Sequence, residues 1–96
     1  MSAEEEYPLP PNNVWRHVCK QAITHDKPIM LDYWVSSLAK KVFLGIRTNE
    51  EKLLVKSAEE YTSPIINMAK LDDVYIICTE NSIYLVSAHI DKRKIS

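Results

Sequence analysis

The stretch DVYIICTENSIYLVS, residues 73–87, leaves the backbone little choice. Val74 to Cys78 and Ile83 to Val86 are dominated by β-branched and aromatic side chains, which suit a pleated strand better than a helix. Between them Glu80-Asn81 supplies a tight turn, because asparagine tolerates positive φ at little cost. The segment therefore predicts a β-hairpin.

Two further apolar runs predict a second hairpin. KVFLGIR, residues 41–47, alternates Val42, Leu44 and Ile46 with Phe43, Gly45 and Arg47. KLLVKS, residues 52–57, follows across the polar turn Thr48-Asn49-Glu50-Glu51. Gly45 is the only glycine in the chain. Inside a strand it points to a bulge, a bend or a large neighbour such as Trp34 lying across it. With so little glycine, the connections must turn on Asn, Asp, Ser and Pro.

Ahead of these, IMLDYWVS at 29–36 alternates Ile29, Leu31, Tyr33 and Val35 with Met30, Asp32, Trp34 and Ser36, the period of a fifth strand. The period before it is helical. Val14, Trp15, Val18, Cys19, Ala22 and Ile23 repeat at three and four residues, predicting a helix over about residues 14–24 with Asn13 as N-cap and an end before Pro28. Residues 1–11, MSAEEEYPLPP, combine acid with proline and read as a flexible arm, leaving 12–96 as one small globular domain. The predicted fold is α+β and mainly β: an N-terminal helix packed on a five-stranded antiparallel meander or small open β-barrel.

Charge is nearly balanced at −1, so no general field draws the chain to nucleic acid or anionic membrane. Acid gathers at the start, in Glu4, Glu5 and Glu6, and base near the end, in Lys92, Arg93 and Lys94. There is no long apolar run and no basic, apolar leader pattern, which predicts a soluble, intracellular protein. Cys19 and Cys78 lie on predicted apolar faces and are expected to be reduced and unpaired.

EEYTSPI, residues 59–65, looks like a site because it groups carboxylates, hydroxyls and a proline. As an active site it would use Ser63 as nucleophile with Glu59 or Glu60 as base, and Ser63-Pro64 would also suit proline-directed phosphorylation. As structure, Tyr61 and Ile65 would be buried anchors and Glu59 and Glu60 exposed, with Pro64 fixing a bend; the absence of any glycine-rich elbow favours this. His17 and Cys19 point about 200° apart on a helix at ~100° per residue, and Asp72-Asp73 lacks an oxygen-rich loop, so neither implies a metal. No cofactor is implied.

Three functions remain. The leading one is a nonenzymatic binding or assembly module acting through protein-protein contacts, with Tyr7, Trp34 and Phe43 as candidate partner-binding residues and a homodimer through a sheet edge or aromatic face. An alternative is a single-stranded nucleic-acid-binding small β-barrel using Lys40, Lys41, Lys92, Arg93 and Lys94 around exposed rings. A second alternative is a small enzyme at EEYTSPI. The phrases KPIMLDYW, EKLLVKSAEEYTSPI and TENSIYLVS resemble small β-rich proteins of large double-stranded DNA viruses infecting algae and protists. That resemblance implies a viral accessory or virion protein, in the host cytoplasm, nucleus or virion, and carries over no catalytic residue.

Overall fold

A computed structural model describes residues 9–95. Most of the acidic arm, including Tyr7, lies outside the described residues. Helix α1 spans Asn12–His25. Pro11, rather than Asn13, is its N-cap: the Pro11 carbonyl accepts from the amides of Val14 at 3.0 Å and Trp15 at 3.1 Å. Asn13 instead donates its side-chain amide to the Asp72 carboxylate at 3.3 Å. Asp26, left-handed at φ 55°, closes the helix just ahead of Pro28, and Lys27 N–H returns to the Ala22 carbonyl at 3.1 Å. The buried stripe is narrower than the apolar one. Val14 and Val18 are fully covered, whereas Cys19 is exposed and Ile23 is 82% exposed.

The segment 29–36 is not the expected strand. After a two-residue strand β1 (Ile29–Met30), the chain winds into a short helix α2 (Trp34–Leu38). Leu31 and Val35, which alternation placed with Tyr33, are exposed, while the adjacent Tyr33 and Trp34 are both buried. Neighbours can both be buried here because they enter different cores. Trp34 packs with α1, and Tyr33 packs between the two sheets.

Strands β2 (Phe43–Ile46), β3 (Lys52–Ser57) and β4 (Glu60–Tyr61) form one antiparallel meander. Strands β5 (Ile65–Leu71), β6 (Val74–Thr79) and β7 (Ile83–Ser87) form another. Each gains one parallel strand from elsewhere in the chain: β1 beside β7, and β8 (Asp91–Lys94) beside β2. The mainly β, α+β class with an N-terminal helix is as expected, and both predicted hairpins are present. The strands nevertheless form two four-stranded sheets, ordered β1-β7-β6-β5 and β4-β3-β2-β8, and do not close into a barrel.

The sheets stack into three layers with the helices. One face of the first sheet offers Val74, Ile76, Cys78, Ile83 and Leu85 to Val14, Val18 and Trp34. Its other face offers Ile77 and Val86 to Tyr33, Val42, Leu44, Leu54 and Ile90 of the second layer. A strand covered on both sides needs apolar residues at consecutive positions, which is why VYIIC shows no polar alternation. Ser37 locks α2 onto this stack, its hydroxyl accepting from Ser87 N–H at 2.9 Å and donating to the Trp34 carbonyl at 2.6 Å.

The turns are made without glycine. Asp26, Lys40, Glu50, Asp72 and Asp73 all have positive φ. Asp72 and Asp73, at 50° and 62°, form the two-residue connection from β5 to β6, a turn whose twist matches the flanking strands. Gly45 has a different task. A Cβ there would come within 2.8 Å of Ile95 Cδ1 and 3.0 Å of Val55 Cγ2, so the residue lying across it is Ile95, not Trp34.

EEYTSPI proves to be the crossing from one sheet to the other, since β4 belongs to the second sheet and β5 to the first. Its anchor is Thr62, which is buried. Thr62 N–H donates to the Leu54 carbonyl at 2.9 Å, and its hydroxyl accepts from Leu54 N–H at 3.1 Å and donates to the Ser63 carbonyl at 2.9 Å. Glu59 and Glu60 are exposed as expected. Tyr61 is 53% exposed, contrary to expectation, and Ile65 is only half-buried. The register slips between Val55 and Ser57, and Tyr61 then lies opposite Val55 on the outer side of the sheet.

Candidate functional site

Four sheet faces exist in this stack, and three are covered: both faces of the first sheet and the inner face of the second. Among the described residues, no further helix or sheet packs on the outer face of the second sheet, although its Leu53 and Val55 are themselves buried. Cross-strand register places Tyr61, Val55 and Phe43 in one row, and Leu53, Gly45 and Arg93 in the next. Because Gly45 carries no side chain, Ile95 can lie directly over it on this face. Beside Ile95 the face forms a groove of about 450 Å³ whose walls include Phe43, Leu53, Val55, Tyr61 and Arg47.

Charge rims the groove in pairs. Arg93 sits 4.6 Å from the Phe43 ring centroid and 3.3 Å from the Asp91 carboxylate. Arg47 lies 3.4 Å from Glu51, and Lys56 lies 3.6 Å from Glu60. All three pairs are solvent-accessible and contribute little stability individually. Their effect is on what approaches. The segments that build this layer, residues 40–61 and 90–95, hold eight basic and five acidic side chains in a chain whose overall charge is −1. Behind them Tyr33 packs edge-on against Tyr84, with ring centroids 5.5 Å apart, and burial, followed by the Glu60 carboxylate, pushes its phenol up to about 12.

The structure separates the residues singled out from sequence. Trp34 is 5% exposed and fills the core beneath α1, so it is not part of a contact surface; its indole is too large and apolar to leave in water beside a helix that needs covering. Phe43 is on the open face, half-buried under Arg93. Lys40 and Lys41 are exposed in the link from α2 to β2, and Lys92, Arg93 and Lys94 are exposed on β8, the outermost strand of the same sheet. Phe43 and Arg93, assigned from sequence to two different functions, therefore belong to one surface. Leu53, Val55, Tyr61 and Ile95 join them without having been singled out. The available signal was the run Leu53-Leu54-Val55, where three consecutive apolar residues in a strand mean that both faces meet apolar neighbours.

Other groupings do not assemble. Among the described residues, no cluster of three or more His, Cys, Asp or Glu is placed to hold a metal ion. Cys78 is buried, 3.9 Å from the Gln21 side-chain oxygen, while Cys19 faces solvent on α1. Among the described residues, no helix is long and apolar enough to cross a membrane. The fold is thus a three-layer, mainly β α+β domain with one open, partly apolar sheet face. No protein family, curated protein or solved structure matches the chain.

Proposed function

We propose that this protein is a small nonenzymatic binding module that engages a protein partner through the outer face of the β4-β3-β2-β8 sheet. The observation that carries this reading is the position of Phe43 and Tyr61, flanking Val55 across adjacent strands on the sheet face that no other helix or sheet of the described residues packs against. Rings beside a shallow apolar groove, with arginines at the rim, are the composition of protein contact sites. The viral resemblance of KPIMLDYW and TENSIYLVS agrees with an accessory or virion role inside a host cell.

A photo-crosslinking residue placed at Tyr61 tests this, with the same residue at Ile23 as control. Both positions are exposed, but they lie on opposite sides of the layered stack. A discrete protein adduct formed in native cells from position 61 and not from 23 supports the proposal. Equal labelling from both, or none from 61, refutes it.

Single-stranded nucleic acid is the second reading, favoured by the same two rings with Arg47 and Arg93 nearby. It ranks lower because each arginine already faces a carboxylate, and Asp91 and Glu51 would repel a phosphate backbone. Salt-dependent binding of an oligothymidylate, lost in Phe43→Ala, would reverse that ranking.

A further inference from the structure

Among the described residues the two sheets end in four edge strands, β1, β5, β4 and β8. β1 and β4 are only two residues long, and the register of β5 shifts between Ile65 and Asn67, a bulge that turns an edge away from new pairing. β8 is different. It keeps one unbroken register with β2 from Asp91 to Lys94, and all of its residues are exposed. Ile95 N–H donates to the Ile46 carbonyl at 2.8 Å, and backbone groups alternate sides along a strand, so Asp91 and Arg93 also turn theirs toward β2. Lys92 and Lys94 turn theirs outward, where no strand of the described residues pairs with them. The side chains divide in the same way. Arg93 is engaged by the Asp91 carboxylate at 3.3 Å and by the Phe43 ring, whereas the ammonium groups of Lys92 and Lys94 make no ion pair among the described residues.

We propose that β8 receives an extended acidic segment of a partner protein as an added antiparallel strand, with carboxylates at alternate positions opposite Lys92 and Lys94. The inference rests on the reading that this sheet engages a protein. Backbone pairing selects a polypeptide: a phosphate group matches the ammonium groups but has no donor for the outward carbonyls of Lys92 and Lys94.

Charge selects the sequence of the segment. In an antiparallel ladder the residue directly opposite Lys92 exchanges both backbone bonds with it and projects its side chain from the same face, and the residue opposite Lys94 does the same two positions away. Glutamate or aspartate at those positions lies beside an ammonium group. Lysine there meets like charge, so a second β8 is a poor occupant of this edge. The residue between them faces Arg93, which Asp91 already neutralises, and needs only to favour a strand. The recognised pattern is therefore acidic-x-acidic within an extended segment.

A capped synthetic peptide alternating glutamate and valine is the probe, read by amide hydrogen exchange on the full chain. In the free protein the Lys92 and Lys94 amides should exchange quickly and those of Arg93 and Ile95 slowly. Saturating peptide should slow Lys92 and Lys94 by about tenfold or more. Lys92→Glu with Lys94→Glu should weaken binding by about tenfold or more, with unchanged circular dichroism because both residues are exposed. The same peptide N-methylated on its glutamates keeps its charge but loses the pairing donors, and should leave both amides unprotected. An inert first peptide, equal binding of the methylated one, or tighter binding of an oligothymidylate would overturn the proposal. So would slow exchange of Lys92 and Lys94 before any peptide is added, since another segment of this chain or a second copy would then already hold the edge. Failure here is separable from failure of the outer face: a protein adduct from Tyr61, with exchange at Lys92 and Lys94 unchanged by the peptide, overturns the edge site while supporting the face.

Discussion

Replacing Thr62 by valine tests the reading of EEYTSPI as a sheet-to-sheet clamp. The substitution keeps the β-branch and nearly the same volume but deletes the hydroxyl that accepts Leu54 N–H at 3.1 Å. Leu54 is fully buried at the centre of the second sheet, so water cannot replace the lost acceptor. A buried donor left without a partner costs about 1–3 kcal/mol, and the added methyl returns part of this, leaving a net loss of about 1–2 kcal/mol. For a domain of this size each kcal/mol corresponds to about 4–8 °C, so Tm should fall by about 5–15 °C in a two-state thermal melt. Amide exchange at Leu54 should accelerate with it, because the N–H is released where β4 meets β3. Thr62→Ser, which keeps the acceptor, should lose much less, and Ser63→Ala should leave Tm nearly unchanged. A Thr62→Val melt within 2 °C of wild type, with Leu54 still protected, is outside ~1 kcal/mol of lost stability and would refute the clamp.

Trp34→Ala should cost about 3–5 kcal/mol by emptying the core beneath α1, read from urea midpoints; a loss under about 1 kcal/mol would mean that the indole is not enclosed. Alkaline titration should find Tyr33 late, because burial raises its phenol from 10.0 to about 12. Its folded state holds the proton more tightly than the unfolded state, so this contribution to stability is complete below pH 10 and is lost as pH rises toward about 12; Tyr33→Phe should flatten that part of the stability curve relative to wild type. Asp73→Gly should raise Tm slightly, since relief of left-handed backbone worth about 1–2 kcal/mol exceeds an entropy cost of about 0.5–1 kcal/mol. A fall in Tm would show that the Asp73 side chain stabilises the turn.

Elements whose local chemistry agreed with their surroundings were legible in the amino-acid order. β6 and β7 were legible because both of their faces are apolar, and the end of α1 was legible because Pro28 forbids its continuation. The β2-β3 hairpin was legible in the alternation of Val42, Phe43 and Leu44 ahead of a polar turn. The remaining elements depended on long-range packing. The segment 29–38, IMLDYWVSSL, carries both an alternating pattern and the helical spacing of Trp34, Ser37 and Leu38; the helix prevails because it sends Trp34 and Tyr33 into two different cores. β5 and β8 escaped notice because edge strands bury little: Asn67, Ala69 and Lys70, like all of Asp91–Lys94, remain exposed, so no periodic apolar signal marks them. The binding face was half visible. Phe43 stood out as an aromatic on the less apolar side of its strand, but Tyr61 and Ile95 reach the same groove only after a register slip in β4 and the return of β8 to lie parallel to β2. Those pairings join residues far apart in the chain, and no local pattern encodes which strand a distant segment will choose as its neighbour.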